Sequence, residues 1–174
     1  MNTLQKIGLG GGCHWCTEAV FQLLKGVTAV AQGYIASDGE NTSFSEAVIV
    51  TFNTEVISLH TLLSVHLQSH KSRSNHSFRE KYRSAVYYFS EEQKQLSIEY
   101  LREAQEKLQL ENGQNKNAYI TKVLPYKGFR ESRESLQNYF RKNPEAPFCQ
   151  RYIVPKLVKI PSEIKKNNHS ILTK

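Results

Sequence analysis

Apolar and polar positions follow different periods in different stretches of the chain. Lys6–Gly10 is a short apolar run that ends in Gly10-Gly11-Gly12, the pattern of a strand stopping at a tight turn. Thr17–Lys25 puts Val20, Leu23 and Leu24 on one side and is followed by Gly26, a helix and its stop. Val27–Ile35 and Ala47–Phe52 read as strands, the second more strongly. Leu59–His70 carries Leu59, Leu62, Leu63 and His66 on one helical face. Ser84–Phe89 predicts a strand, and Ser90 caps a long helix to about Leu110, with Glu92 and Gln93 in the capping-box region. Gly113–Asn117 is a polar loop. Tyr119–Leu124 predicts another strand and Glu131–Arg141 another helix, which the prolines of Asn143–Pro147 cannot continue. Interleaved strands and helices predict an α+β or α/β fold with one central sheet.

At 174 residues with 39% apolar positions, the chain suits one domain with a real core. Its longest apolar runs are about four residues, as in Ala47–Val50, too short to span a bilayer. No secretory apolar segment follows Met1, so a cytoplasmic protein without a membrane partner is expected. The net charge of +7 raises a nucleic-acid partner, but residues 156–174 carry five lysines against one acid. That distribution predicts one domain over 1–155 and a basic, mobile tail over 156–174, and argues against a nucleic-acid role; a monomer is expected.

Candidate chemistry concentrates in "GGGCHWCTEAVF". Cys13 sits at the mouth of a predicted helix, where unpaired N–H groups and the helix dipole favour a thiolate, the nucleophilic form. Cys16 lies within disulfide reach if both cysteines share the first turn. Trp15, the only tryptophan, is well placed to wall a small apolar pocket. Three readings stay open on spacing alone. The pair could bind zinc with Cys149 and a histidine, although no second C-x-x-C exists. It could be two structural cysteines. It could be a thiol redox site, including a thioredoxin-like exchange enzyme.

The same residues resemble the peptide-methionine sulfoxide reductase A family. Gly12, Cys13, Trp15, Glu18, Phe21, Gly26, Val27, Gly33 and Tyr34 fall in register with its active-site segment. "SFSEAVIVTF" resembles its acid-bearing strand with Glu46 at the acid, and "KYRSAVYY" its tyrosine strand with Tyr82. "LQNYFRKNPEAPFC" resembles its recycling end with Cys149. The likeness runs from residue 5 to 150. It implies a single-domain α+β sandwich-like roll, with a central mixed sheet flanked by helices. It also implies thiol-dependent reduction of methionine S-sulfoxide, in oxidised proteins or free. No metal or bound cofactor is implied; a thioredoxin-type dithiol would be the external reductant and partner.

By that resemblance Cys13 is the nucleophile, Glu46 the proton donor, and Tyr34 and Tyr82 hydrogen-bond the sulfoxide oxygen. Trp15 packs on the substrate S-methyl group. Cys16 and Cys149 are the two resolving candidates. Cys16 is favoured first by its short loop, while Cys149 is expected on a loop after Asn143–Pro147. Three departures stand out. His14 replaces a phenylalanine of the methyl pocket; its flat ring keeps it a substrate-binding candidate beside Trp15, and it is expected either to bias Cys13 toward thiolate or to face solvent. Cys16 replaces a frequent glycine. The segment His70–Tyr82 is shortened and lacks the family's aspartate, leaving Asn75, His76 or Ser77 to fill its role. Arg133 and Leu136 also stand where an acid and a histidine are usual.

Overall fold

Strand β1 (Leu4–Gly10) alternates little because it is central: Ile7 and Leu9 are fully buried on one side, and Tyr87 and Ile35 crowd Gly8 on the other. It pairs antiparallel with β3 (Ser45–Asn53) on one edge and with β4 (Ala85–Tyr88) on the other. Between β1 and β3 in sequence lie helix α1 (His14–Gln22) and strand β2 (Val27–Ala36), which pairs antiparallel with β3. The computed structural model describes residues 3–113 and 117–167.

Helix α2 (Leu59–Ser69) starts where Ser58 Oγ accepts from Thr61 N. Its Leu62, Leu63 and His66 are buried, as the apolar face predicts. Helix α3 (Glu91–Asn112) starts at Ser90, whose Oγ accepts from Gln93 N at 3.2 Å. Gln93 completes the cap by accepting from Phe89 N at 2.9 Å, and its amide donates to Lys6 O at 2.8 Å. This helix is the crossover that lets β5 (Lys122–Pro125) lie parallel to β4. With β6 (Gly128–Glu131) on β2, the sheet order is β5-β4-β1-β3-β2-β6. The fold is the expected α+β arrangement, with a mixed central sheet and flanking helices.

Two expected elements differ. The helix over Glu131–Arg141 is absent: Glu131 ends β6, a 3₁₀ turn covers Glu134–Leu136, and helix α4 is only Tyr139–Lys142. Edge pairing with β2 claims its start, and Asn138 takes φ 55°, which breaks any continuous helix. The tail does not separate at residue 155. Helix α5 (Val154–Val158) runs through that boundary and buries Leu157 and Ile160. Further on, Lys165 bridges Leu24, and Lys166 Nζ donates to Gln22 O at 2.9 Å. The segment to Asn167 is therefore packed against α1; residues 168–174 lie outside the described part. Among the described residues no helix is long and apolar enough to cross a membrane.

Candidate active site

The turn from β1 into α1 presents Cys13. A Cβ on Gly11 would fall 2.4 Å from His70 Cδ2, so only glycine lets that ring close over the turn. Cys13 is the N-cap residue of α1, and its carbonyl accepts from Cys16 N (3.1 Å) and Thr17 N (3.2 Å). Its side chain thus sits at the positive end of the helix. The thiol is lowered from 9.0 to about 7. The Cys16 thiol is the main cause; burial opposes it, while the N–H groups of Trp15 and Cys16 and the Lys81 ammonium assist.

Cys16 is pushed the other way, first by its hydrogen bond to Cys13 and then by burial. The Cys149 thiol adds a smaller push in the same direction. Cys149 is not on a loose loop. It opens a π-helical turn (Cys149–Ile153) that feeds α5, it is fully buried, and burial raises its thiol. Apolar packing draws it in: Cys149, Ile153 and Leu157 share one core cluster with Cys16 and Val20.

Trp15 stacks on Tyr139 at 4.0 Å and 10°, and meets Phe148 edge-on at 5.4 Å. Fully buried Glu18 fixes this wall, accepting from Asn138 N (3.0 Å) and Tyr139 N (3.1 Å). Glu18 thereby clips the left-handed Asn138 and the start of α4 to α1.

Glu46 on β3 stands opposite Tyr34 on β2. Burial, and then the Cys13 charge, raise its carboxyl from 4.5 to about 7. Lys81 and Tyr82 pull back; the Tyr82 hydroxyl is near without closing a hydrogen bond. Backbone bonds bring Tyr82 there. Glu46 N donates to Lys81 O (2.9 Å), and Ser45 Oγ bridges Lys81 O and Arg83 N.

His14 follows neither expectation. It is 3% exposed and is turned from solvent into the site. Its Nδ1 lies 2.8 Å from Gly33 O and its Nε2 3.1 Å from Glu46 Oε1, while its ring meets Tyr34 edge-on at 5.2 Å. Burial lowers its basicity, so it is a poor resident cation for Cys13. The nearby cation is Lys81, whose Nζ sits 5.0 Å from the Tyr82 ring centroid.

Asn75, His76 and Ser77, all described residues, make no hydrogen bond or ion pair to Cys13, Glu46 or Tyr82. Asn75 and Ser77 are exposed, and His76 Nδ1 accepts from Phe78 N. Arg79 orders the loop instead, donating to Gly11 O (2.7 Å), Tyr82 O (2.9 Å), Lys71 O (2.6 Å) and Ser74 O (2.8 Å). The sequence alone assigns no role to Lys81, Tyr139 or Phe148, and Glu18 is only in register with the family segment. Adjacency to Tyr82 was the available signal for Lys81. Glu18 and Tyr139 matched family positions, but nothing in the sequence pairs them. Among the described residues no three His, Cys, Asp or Glu side chains converge as a metal site would require.

The arrangement is a lowered thiol, a carboxyl raised to hold its proton near neutrality, two further thiols in the same core cluster, and an aromatic wall. Residues 5–169 match the family described as peptide methionine sulfoxide reductase. The chain is 36% identical over 171 residues to the peptide methionine sulfoxide reductase MsrA of Trichodesmium erythraeum, covering 90% of this chain and 94% of that one. Its fold superposes on reduced Mxr1 of Saccharomyces cerevisiae with a TM-score of 0.70 and 25% identity, over 84% of this chain and 90% of that one. Mxr1 in complex with Trx2 matches with a TM-score of 0.60 and 23% identity, over 79% and 85% of the two chains. A thiolate beside a protonated carboxyl is what sulfoxide reduction needs, and the chain belongs to the peptide methionine sulfoxide reductase family, oxidoreductases that reduce methionine sulfoxide.

Proposed function

We propose that Cys13 carries the reduction and that Glu46 supplies its proton. The observation that carries this reading is the pairing of a thiol lowered to about 7 with a carboxyl raised to about 7. The thiolate attacks the sulfoxide sulfur; sulfoxide, thiolate and one proton give methionine and a sulfenic acid on Cys13. Oxygen moves from the substrate sulfur to the cysteine sulfur, and the proton ends on that oxygen. The fitting substrate is the S epimer, by resemblance to the A family. Trp15, stacked on Tyr139 and backed by Phe148, offers an apolar face to the S-methyl group. Tyr34 and Tyr82 flank Glu46 and are the hydrogen-bond donors for the sulfoxide oxygen.

A second thiol then condenses with the sulfenic acid, giving a disulfide and water. Cys16 is the first partner, since it sits in the first turn of α1 with its N–H on the Cys13 carbonyl and its thiol shifting that of Cys13, and Cys149 is the relay behind it. A thioredoxin-type dithiol restores the site; Mxr1 of the same fold forms a complex with Trx2. Cys13→Ser tests the assignment. A hydroxyl without an activating base is a far weaker nucleophile, so single-turnover methionine formation should fall below detection. Product at the wild-type rate would remove Cys13 from the mechanism.

A further inference from the structure

This chain buries an imidazole, that of His14, against its proposed acid, Glu46. Nδ1 of His14 faces a backbone carbonyl, Gly33 O at 2.8 Å, which can only accept, so Nδ1 carries the hydrogen. Nε2, 3.1 Å from Glu46 Oε1, is then an unprotonated acceptor unless the ring is charged. Two acceptors do not meet at that distance without a hydrogen between them. One proton therefore lies in the His14–Glu46 contact, on the carboxyl or on the ring. Glu46 Oε2 is buried with no partner of its own, leaving one side of the carboxyl unclaimed.

We propose that His14 is a positioning residue that keeps Glu46 loaded with the proton the sulfoxide oxygen takes. This rests on the function proposed above. As thiolate attack builds negative charge on the sulfoxide oxygen, that oxygen becomes a better acceptor than Nε2. The carboxyl turns about its terminal bond and transfers the hydrogen. The spent carboxylate then faces the Nε2 lone pair, an unfavourable contact that a new proton relieves, so the acid reloads before the next substrate. The other groups facing the pair are Cys13 at the start of α1, Tyr34 on β2, and Lys81 and Tyr82 before β4. Lys81 favours the unloaded carboxylate, and the Cys13 thiolate favours the loaded acid. His14 adds to the second of these.

Two measurements test the proposal. The first is a pH series of side-chain nitrogen NMR on the full chain. His14 should be the Nδ1–H tautomer, and its Nε2 resonance should follow a titration that disappears in Glu46→Gln. An Nε2–H tautomer, or a resonance indifferent to Glu46→Gln, would overturn the proposal. The second is the single-turnover rate on a methionine sulfoxide peptide for wild type and His14→Phe, a substitution that keeps an aromatic ring in the pocket. The alkaline limb should move down by about one pH unit, or about tenfold in rate above both limbs. A limb that stays in place or moves up would overturn it. Should no variant, wild type included, turn over, the reductase reading fails on its own, and the NMR result still decides the dyad.

Discussion

In the proposed reaction Cys13 acts as thiolate and Glu46 as acid, and the site shifts both groups to about 7. The thiolate fraction grows as pH rises through 7, and the acid fraction shrinks over the same range. Their product peaks near 7 and falls about tenfold or more by two units on either side. A pH profile of the single-turnover rate should be a narrow bell centred there. A plateau extending to pH 9 would mean that proton transfer does not depend on Glu46. Because the two groups interact, the limbs belong to the pair rather than to either residue.

At the scale of elements, the site depends on α1 being tied to the segment that follows β6. Glu18 makes that tie with two backbone hydrogen bonds from a fully buried position. Glu18→Ala removes the acceptor of two part-buried N–H groups, costing about 1–3 kcal/mol in a thermal or urea melt. It also frees Tyr139 from Trp15, so KM for a sulfoxide peptide should rise several-fold while the pH of the bell centre stays put. Glu18→Gln retains an acceptor and should recover part of both losses. An Ala variant with wild-type stability would show that solvent replaces the tie.

The three sulfurs sit on α1 and on the turn into α5. Trapping one turnover without reductant and mapping the disulfide should give a Cys13–Cys16 bond first, with Cys149 drawn in afterwards. A Cys13–Cys149 bond formed at the wild-type rate in Cys16→Ser, with no Cys13–Cys16 bond in wild type, would make Cys16 a bystander.

These elements also show what could be read from the chain alone. The strands around the site were legible because β-branched runs such as Ala47–Phe52 are buried on a central strand, and Ser90 announces α3 through its own cap. The position of Cys13 was legible from three glycines followed by helical periodicity. The helix expected over Glu131–Arg141 was not, because its first residues are taken by pairing with β2, a non-local contact. The burial of His14 is not legible for a related reason. Nothing near it in sequence shows that Gly33 O and Glu46 will enclose it, since both arrive from other strands. The prolines before Cys149 predict a loop, whereas Ile153 and Leu157 pull the following turn into the core.

Over the whole molecule, the sheet order places the proposed groups together from distant parts of the chain. β3 lies between β1 and β2, so Glu46 comes beside the turn that carries Cys13 and opposite Tyr34. The segment before β4 closes over them through Lys81 and Tyr82. The basic C-terminal segment belongs to this body as far as Asn167, contributing Leu157 and Ile160 to the core that encloses the buried thiols. The central claim is that this one body converts methionine sulfoxide to methionine at the expense of its own thiols. Its most direct test is to mix the full chain with one equivalent of a methionine S-sulfoxide peptide, without reductant, then count alkylatable thiols and methionine together by mass spectrometry. The account predicts one methionine formed per chain and two of the three cysteines lost to alkylation; methionine absent with all three thiols intact would contradict it.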